Sequence, residues 1–231
     1  MNGILLIDFA GTLIRNEMIQ QANTLRANIL QKAAPTTQEH AQEQTLYANN
    51  REALKQLTGL SNEEHIRYTT NEYQQLIING EDVHNQIATT LFQLGMYIVA
   101  NENKQDIYVS GMIGTLEELK KRGHILAISS GVRTDIISGV LAITGQTELF
   151  SHILGQPPRL GISNETHLRE LQSKGKILYA IGDKYSDLEP AKKYGVETVY
   201  VTWGTPTGEE ETIANHTVQQ PEELLDILRE Q

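Results

Sequence analysis

The sequence predicts an α/β fold in which a doubly wound, Rossmann-like parallel sheet carries an inserted helical domain. Three observations support this prediction. Short apolar runs end in polar or acidic residues, strands and helices alternate from about residue 110, and helical periodicity alone fills residues 14–107. Alternating strands and helices are typical of parallel sheets with right-handed crossovers. We therefore expect a core of residues 1–13 and 108–231 and an insert of residues 14–107.

The first predicted strand is the apolar run of residues 4–7, which leads directly into Asp8, Gly11 and Thr12. A short, continuous apolar run suits a strand that is buried on both faces. Asp8 would then lie at the carboxyl edge of the sheet, where open α/β sheets bind ligands. Gly11 would allow another group to approach closely. The alternative interpretation is that Asp8 merely ends the strand and begins a turn.

The insert contains apolar residues at helical spacing, and we predict about four helices there. Pro35 separates the first helix from the second, and residues 61–64 have the spacing of a capping box. The residues at helical spacing form three stripes, each along one helical face, and we expect them to be packing surfaces rather than catalytic groups. The stripes are Met18, Ala22, Leu25 and Ile29; Ile66, Thr70, Tyr73 and Ile77; and Ile87, Leu91, Leu94 and Ile98.

The second half of the chain supplies the remaining strands and helices. We predict strands at residues 124–129, around 153, and at 177–181 and 198–201. We predict helices at residues 115–121, 134–143, 164–173, 188–194 and 221–228. The first of these helices would begin at Thr115, which has capping-box spacing to Glu118. Pro221 suits the first turn of the last helix.

Three further stretches bring polar side chains to the same edge of the sheet. Ser129 ends one strand, and its hydroxyl with the amides of Ser130 and Gly131 could bind a phosphoryl group. Arg159 follows two prolines and could pair with phosphate oxygens. The alternatives are ordinary turn chemistry for the serines and a solvated loop for the arginine.

The strand that ends in Asp183 carries the most specific signal, because Asp187 follows four residues later. Acids held together at a sheet edge repel one another unless a cation compensates their charge. Mg²⁺ prefers oxygen ligands and commonly combines one or two carboxylates with phosphate and water. The alternative is a strand-ending Asp183 with Asp187 capping the next helix.

Composition narrows the classes of partner. The formal net charge of −10 argues against binding nucleic acid or anionic membranes by bulk electrostatics. The chain has no cysteine and no apolar run of roughly 20 residues. The amino terminus lacks a basic and apolar leader, so we expect a cytoplasmic protein. The oligomeric state stays open, with a homodimer among the options, and we expect Glu209 to Glu211 to form a solvated loop.

Together these motifs resemble the haloacid dehalogenase-like hydrolase superfamily. The resemblance rests on residues 8–12, Ser129, Arg159, and Gly182-Asp183 with Asp187, and on the position of the insert, where this family carries a cap domain. It implies that Asp8 attacks phosphorus and forms an aspartyl-phosphate. It also implies that Asp8, the Ala10 carbonyl, Asp183 and Asp187 bind Mg²⁺. Gly11, Thr12, Ser129, Ser130, Gly131 and Arg159 would surround the phosphoryl group.

One departure from that family concerns Ala10, which stands where most of its phosphatases have a second aspartate. That aspartate protonates the leaving group and activates water, which is worth roughly 10²–10⁴-fold. The Asp-x-Ala-Gly-Thr form resembles the phosphonatase branch, which also has an arginine where others use lysine, as at Arg159. A segment similar to that branch's cap runs from residue 59 to 67, with His65 and Arg67 as candidates to face a substrate.

The same segment argues against phosphonatase itself. In that branch a lysine at the position of Asn62 forms a Schiff base with the substrate aldehyde, and asparagine cannot form an imine. Lys55 is the nearest lysine of the insert, and nothing in the sequence places it over Asp8.

The sequence therefore predicts a Mg²⁺-dependent phosphohydrolase of a small phosphorylated metabolite. One alternative is a phosphonate-cleaving enzyme that uses another lysine. A second is a phosphate-binding protein with weak or no turnover, which Ala10 favours. A third is a dehalogenase, which Asp183 with Asp187 disfavours because that chemistry needs no cation. The sequence does not identify the substrate.

Overall fold

The computed structural model describes residues 3–33, 92, 95–156 and 164–228. The chain divides into two compact units, Met1–Ile19 with Ala100–Gln231, and Gln20–Val99. The sequence placed these limits at residues 13 and 108, and the assignment of the second unit as a cap domain stays a prediction. Most of the insert, including Lys55, Asn62, His65 and Arg67, lies outside the described residues, as does Arg159.

A six-stranded parallel sheet forms the centre of the first unit, which confirms the predicted fold class. Its strands lie side by side in the order β3-β2-β1-β4-β5-β6. Their bounds are β1 Ile4–Ile7, β2 Ile125–Arg133, β3 His152–Gln156, β4 Ile177–Gly182, β5 Glu197–Val201 and β6 His216–Val218. The strand order reverses beside β1, so the carboxyl ends of β1 and β4 form the switch point at which such sheets bind ligands.

Helices lie between successive strands along the chain, and the last helix follows β6. They are α1 Asn16–Ala33, α2 at residues 95–103, α3 Met112–Lys121, α4 Thr134–Thr144, α5 Asn164–Gln172, α6 Tyr185–Lys193, α7 Glu210–Ile213 and α8 Leu224–Ile227. Three 3₁₀ turns occur at Lys104–Ile107, Thr147–Leu149 and Pro221–Glu223. Among the described residues, no helix is both long and apolar enough to cross a lipid bilayer.

The core forms because β1 is apolar at every position and is buried on both faces. Leu5 and Ile7 are fully buried, and Leu6 packs in a cluster with Ala127 and Ala180 of the neighbouring strands. Each such side chain contributes about 1.5–3 kcal/mol when fully buried. This burial fixes the register of β1 in the sheet. It therefore also fixes the position of Asp8, which directly follows the strand.

Two helices begin earlier than the sequence indicated. α3 begins at Met112, and Thr115 is a buried fourth residue whose amide donates to the Gly111 carbonyl at 3.0 Å, so the predicted capping box with Glu118 is wrong. Gly111 has a φ of +83°, which turns the chain into the helix, and the burial of Met112 extends its first turn.

α6 begins at Tyr185 and not at Leu188, because two acidic side chains accept hydrogen bonds from the amides at its start. The Lys184 amide donates to the Asp187 carboxylate at 3.2 Å, and the Tyr185 amide donates to the Glu210 carboxylate at 3.2 Å. Asp187 therefore lies inside the first turn of the helix and not before it.

The expectation of a solvated loop at Glu209 to Glu211 is wrong for its central residue. Glu210 begins the short helix α7 and is only 2% exposed. Its carboxylate accepts hydrogen bonds from the Thr207 amide at 2.6 Å, the Gly208 amide at 2.8 Å and the Thr207 hydroxyl. The sixth strand, β6, was also not predicted, because three residues give no measurable alternation.

Candidate active site

Three aspartates come together where β1 and β4 end. Asp8 directly follows β1, Asp183 follows β4, and Asp187 lies in the first turn of α6. One carboxylate oxygen from each residue can be chosen so that all three oxygens lie within 4.8 Å of one another. The Asp8 amide donates to the Ile181 carbonyl of β4 at 2.9 Å, which fastens the two strand ends together. The adjacency of these strands thus unites residues that are 175 positions apart in the sequence.

The electrostatics of this cluster indicate a site for a cation. Burial, and then repulsion by Asp187 and Asp183, raise the pKa of Asp8 well above its usual value. Burial and the Asp183 charge raise the pKa of Asp187 to about 6, and burial raises the pKa of Asp183. Lys184 opposes all three shifts. Carboxylate oxygens grouped in this way suit Mg²⁺. The positive charge of the ion would favour the ionised carboxylates and so lower their pKa values.

Two glycines give the Asp183 side chain its space. Gly11 has a φ of +91°, and a Cβ atom at this position would overlap the Asp183 carboxylate. A Cβ atom on Gly204, in the loop after β5, would overlap the same side chain. Glycine is therefore required at both positions. The sequence predicted that another group approaches Gly11 closely, and that group is the Asp183 carboxylate.

Hydrogen bonds hold Asp183 from two sides. The Thr12 hydroxyl donates to one carboxylate oxygen at 3.3 Å, and the Thr205 amide donates to the other at 2.7 Å. The Trp203 indole donates to the Thr12 carbonyl at 3.0 Å, which joins the loop after β5 to the segment after β1. The role of Thr12 as a phosphate-binding residue stays a prediction; its observed partner is Asp183.

Ser129 lies in β2 beside the aspartates and is 5% exposed. Its hydroxyl is 2.9 Å from Nδ1 of His167 and 3.5 Å from the side-chain oxygen of Asn164, both in α5. Asp8, Ser129, Asn164 and Asp187 line one pocket at the sheet edge. From the sequence, Asn164 and His167 are only members of a predicted helix, because what marks them is their contact with Ser129 of β2.

Ser130 and Gly131 belong to β2, not to a turn that follows it. The Ser130 hydroxyl accepts from the Val132 amide at 3.2 Å, and Gly131 is exposed with nothing near the position of a Cβ atom. The pairing of β2 with β3 shifts register between Ser129 and Arg133, so the strand is irregular here. Phosphate binding by Ser130 and Gly131 stays a prediction.

Ala10 is partly exposed in the tight turn after Asp8, where it bridges to Ile14. Its methyl group cannot carry a proton, and its carbonyl stays a predicted metal ligand. Within the part of the chain that the structure describes, Lys184 is the only basic residue that lowers the pKa of all three aspartates. No sequence motif pointed to Lys184.

The family of the chain follows from a comparison with family models. The model of the haloacid dehalogenase-like hydrolases matches residues 8–201. The chain therefore belongs to this family of hydrolases, as the sequence motifs predicted. A comparison with curated protein sequences finds no significant match.

Solved structures share the fold across the whole chain at low sequence identity. A predicted phosphoglycolate phosphatase from Haemophilus somnus 129pt is 16% identical with a TM-score of 0.62, and the match covers 99% of this chain and 98% of that one. A predicted phosphatase from Clostridium acetobutylicum is 17% identical with a TM-score of 0.60, covering 99% and 98%. The HAD hydrolase YfnB from Bacillus subtilis, bound to magnesium, is 16% identical with a TM-score of 0.59, covering 99% of each chain.

These comparisons agree with the geometry of the site. The cluster of three carboxylates supports the predicted Mg²⁺ cofactor. The matched residues begin at Asp8 and include Ser129, Asp183 and Asp187. The comparisons do not assign a substrate, and they do not distinguish the phosphonatase branch from the rest of the family.

Proposed function

We propose that this protein is a Mg²⁺-dependent phosphohydrolase that acts on a small phosphorylated metabolite through an aspartyl-phosphate on Asp8. The observation that carries the proposal is the convergence of Asp8, Asp183 and Asp187, with oxygens within 4.8 Å, at the carboxyl edge of the sheet. A phosphatase activity is also supported by the structural relatives described as predicted phosphatases.

In the proposed reaction, a carboxylate oxygen of Asp8 forms a bond to phosphorus while the bond from phosphorus to the leaving oxygen breaks. Water then attacks the acyl-phosphate, which releases inorganic phosphate and restores the Asp8 carboxylate. A bound Mg²⁺ would neutralise charge on the carboxylates and the phosphoryl oxygens. Ser129 would donate to a phosphoryl oxygen, and Asp183, held by Thr12 and Thr205, would bind the metal.

The absence of a carboxyl group at residue 10 shapes this mechanism. Ala10 cannot protonate the leaving oxygen, so we expect slow turnover of esters with poor leaving groups. Esters whose leaving group is already acidic, such as acyl phosphates or aryl phosphates, need less help and should react fastest.

The defining experiment measures phosphate release from a panel of phosphate esters, with Mg²⁺ and with a chelator. Asp8→Asn removes the nucleophile while it keeps the size of the side chain, and we expect it to abolish release. Asp106→Asn makes the same chemical change at an exposed position and serves as the matched control. Release that persists in Asp8→Asn would contradict the proposal.

Two alternatives have a supporting observation, and the same assays separate them. Ala10 favours a phosphate-binding protein, which would bind esters in a Mg²⁺-dependent manner without any product. The Asp-x-Ala-Gly-Thr motif favours a phosphonate-cleaving enzyme, which would release phosphate from phosphonoacetaldehyde and be trapped on a lysine by borohydride. An absence of covalent adduct would exclude the imine route.

A further inference from the structure

The first turn of α5 contacts the candidate site from the side of β2 and α6. Asn164 and His167 are three residues apart, so their side chains lie on one face of the helix. One of them contacts Ser129, and the other contacts both Ser129 and Asp187. Both residues are polar, although the neighbouring Leu168 and Leu171 belong to the apolar core of the protein.

His167 forms the shorter of the two contacts with Ser129. Its imidazole is 2% exposed, and its Nδ1 atom lies 2.9 Å from the Ser129 hydroxyl oxygen. Burial lowers the pKa of His167, against an opposing hydrogen bond to the Gly155 backbone, so the ring is neutral at neutral pH. A hydrogen bond between two buried groups does not compete with water, and it restricts rotation of the hydroxyl.

Asn164 connects Ser129 to the aspartate cluster. Its side-chain oxygen lies 3.5 Å from the Ser129 hydroxyl, and its amide nitrogen lies 3.4 Å from a carboxylate oxygen of Asp187. The same amide nitrogen donates to the Ser186 carbonyl at 3.3 Å. One neutral side chain therefore touches a candidate phosphoryl ligand and a candidate metal ligand.

Pro190 explains why the Ser186 carbonyl is available. In α6 the residue four positions after Ser186 is Pro190, which has no amide hydrogen, so the usual helical hydrogen bond is missing. The Asn164 amide supplies a donor in its place. The irregularity in α6 thus holds Asn164 against Asp187.

We propose that Asn164 and His167 are positioning residues that fix the Asp187 carboxylate and the Ser129 hydroxyl for a bound phosphoryl group. This inference rests on the proposed function for the roles of Ser129 and Asp187. It makes α5 part of the machinery of the site, although neither residue touches the reacting atoms.

Two substitutions of His167 separate positioning from packing. Asparagine places its amide at the position of Nδ1, whereas glutamine reaches the position of Nε2 and cannot reproduce the contact with Ser129. We expect His167→Gln to lower kcat about tenfold and His167→Asn to stay within about threefold of wild type. His167→Asn removes more buried atoms, whereas His167→Gln places its amide where Nε2 has no hydrogen-bond partner, so Tm is measured for both variants beside kcat.

A purely structural role predicts that the loss of kcat in His167→Gln persists when the Ser129 hydroxyl is absent. If it persists in a Ser129→Ala background, the proposal for His167 is overturned. His216→Asn makes the same change at a partly exposed histidine of β6 and should leave kcat and KM near the wild-type values. In a Ser129→Ala background, His167→Gln should cause no further loss, because its effect passes through that hydroxyl.

Pro190→Ala tests the anchoring of Asn164. Alanine restores a helical donor for the Ser186 carbonyl, which should raise Tm and release the Asn164 amide. We expect the affinity for inorganic phosphate in the presence of Mg²⁺ to fall about threefold, as in Asn164→Ala. A variant that is more stable and binds phosphate as tightly as wild type would contradict the anchoring.

Phosphate binding also separates this inference from the proposed function. If wild type binds phosphate with Mg²⁺ but hydrolyses no ester, the proposed function fails, and the variants are still ranked by their affinity. If hydrolysis occurs and every variant matches wild type, only the positioning role fails. If wild type neither binds phosphate nor releases it, both proposals are overturned.

Discussion

Two kinds of acid lie around the start of α6, and they differ in what faces each carboxylate. Asp8, Asp183 and Asp187 face one another, and each has a raised pKa. Glu210 faces two backbone amides of its own loop, the Thr207 hydroxyl and the Tyr185 amide. Burial alone would raise its pKa, yet these hydrogen bonds lower it to about 2.

The difference shows how to tell a structural acid from a ligand-binding acid. Glu210 has donors for its oxygens, so its charge is already compensated, and it holds the loop from residue 207 to α6. The aspartates repel one another, and Lys184 together with their own hydrogen bonds leaves all three pKa values raised, so a bound cation would compensate their charge. The pKa is therefore raised for the three aspartates and lowered for Glu210. Substitution of each carboxylate by the matching amide can test this difference.

The largest contrast should appear in activity. Asp183→Asn removes the charge of a proposed metal ligand, and we expect Mg²⁺-dependent turnover to fall about 10³-fold. Glu210→Gln makes the same change in the structural acid and should lower turnover by no more than about threefold. If turnover at saturating Mg²⁺ falls by a similar factor in both variants, the distinction between a structural acid and a metal-binding acid is wrong.

A gain of activity is expected at Ala10. Ala10→Asp places a carboxyl group two residues after the proposed nucleophile and should raise turnover of esters with poor leaving groups by about 10²-fold. The increase should be much smaller for aryl phosphates, because they need little protonation. Ala10→Asn is the control for size, and a similar rise in that variant would exclude an acid–base explanation.

The third contrast concerns stability. Glu210→Gln leaves buried amide donors facing an NH₂ group, and we expect the free energy of unfolding to fall by about 2 kcal/mol. Asp183→Asn removes repulsion and should leave the chelated protein as stable as wild type or more so. Urea unfolding of both variants in chelator provides the measurement; an unchanged Glu210→Gln would show that these hydrogen bonds add no stability.

The smallest effect is a dependence of stability on pH with opposite signs at the two places. Asp187, with a folded pKa of about 6 against 3.8 unfolded, binds a proton more tightly in the folded state. The free energy of unfolding in chelator should therefore rise as pH falls from about 6 to 4. The contribution of Glu210 is full above about pH 4.5 and is lost toward pH 2.

Saturating Mg²⁺ sharpens this prediction. The ion binds ionised carboxylates, so it should stabilise the protein most above pH 6 and remove the rise on acidification. Unfolding curves at pH 7, 6 and 5, with and without Mg²⁺, test it. If the protein in chelator steadily loses stability between pH 7 and pH 5, the pKa of Asp187 is not raised in the folded state.

The sequence by itself determined the fold class and the principal acids. The apolar run before Asp8 favoured a strand buried on both faces, and the Gly-Asp that ends another apolar run placed Asp183 at the same edge. Parallel connection forces the carboxyl ends of these strands to one side. The family resemblance followed from the order of these motifs, and the family model confirms it.

Only the tertiary structure decided which neighbours these residues have. Glu210 looked like a member of a solvated acidic run, because nothing in its local sequence shows the amides that turn toward it. Asn164 and His167 looked like ordinary helical residues. The effect of Pro190 became apparent only in the structure, where the Ser186 carbonyl accepts a hydrogen bond from Asn164 of another helix. Local patterns fix which face of an element is apolar, whereas hydrogen bonds between distant elements depend on how the sheet brings them together.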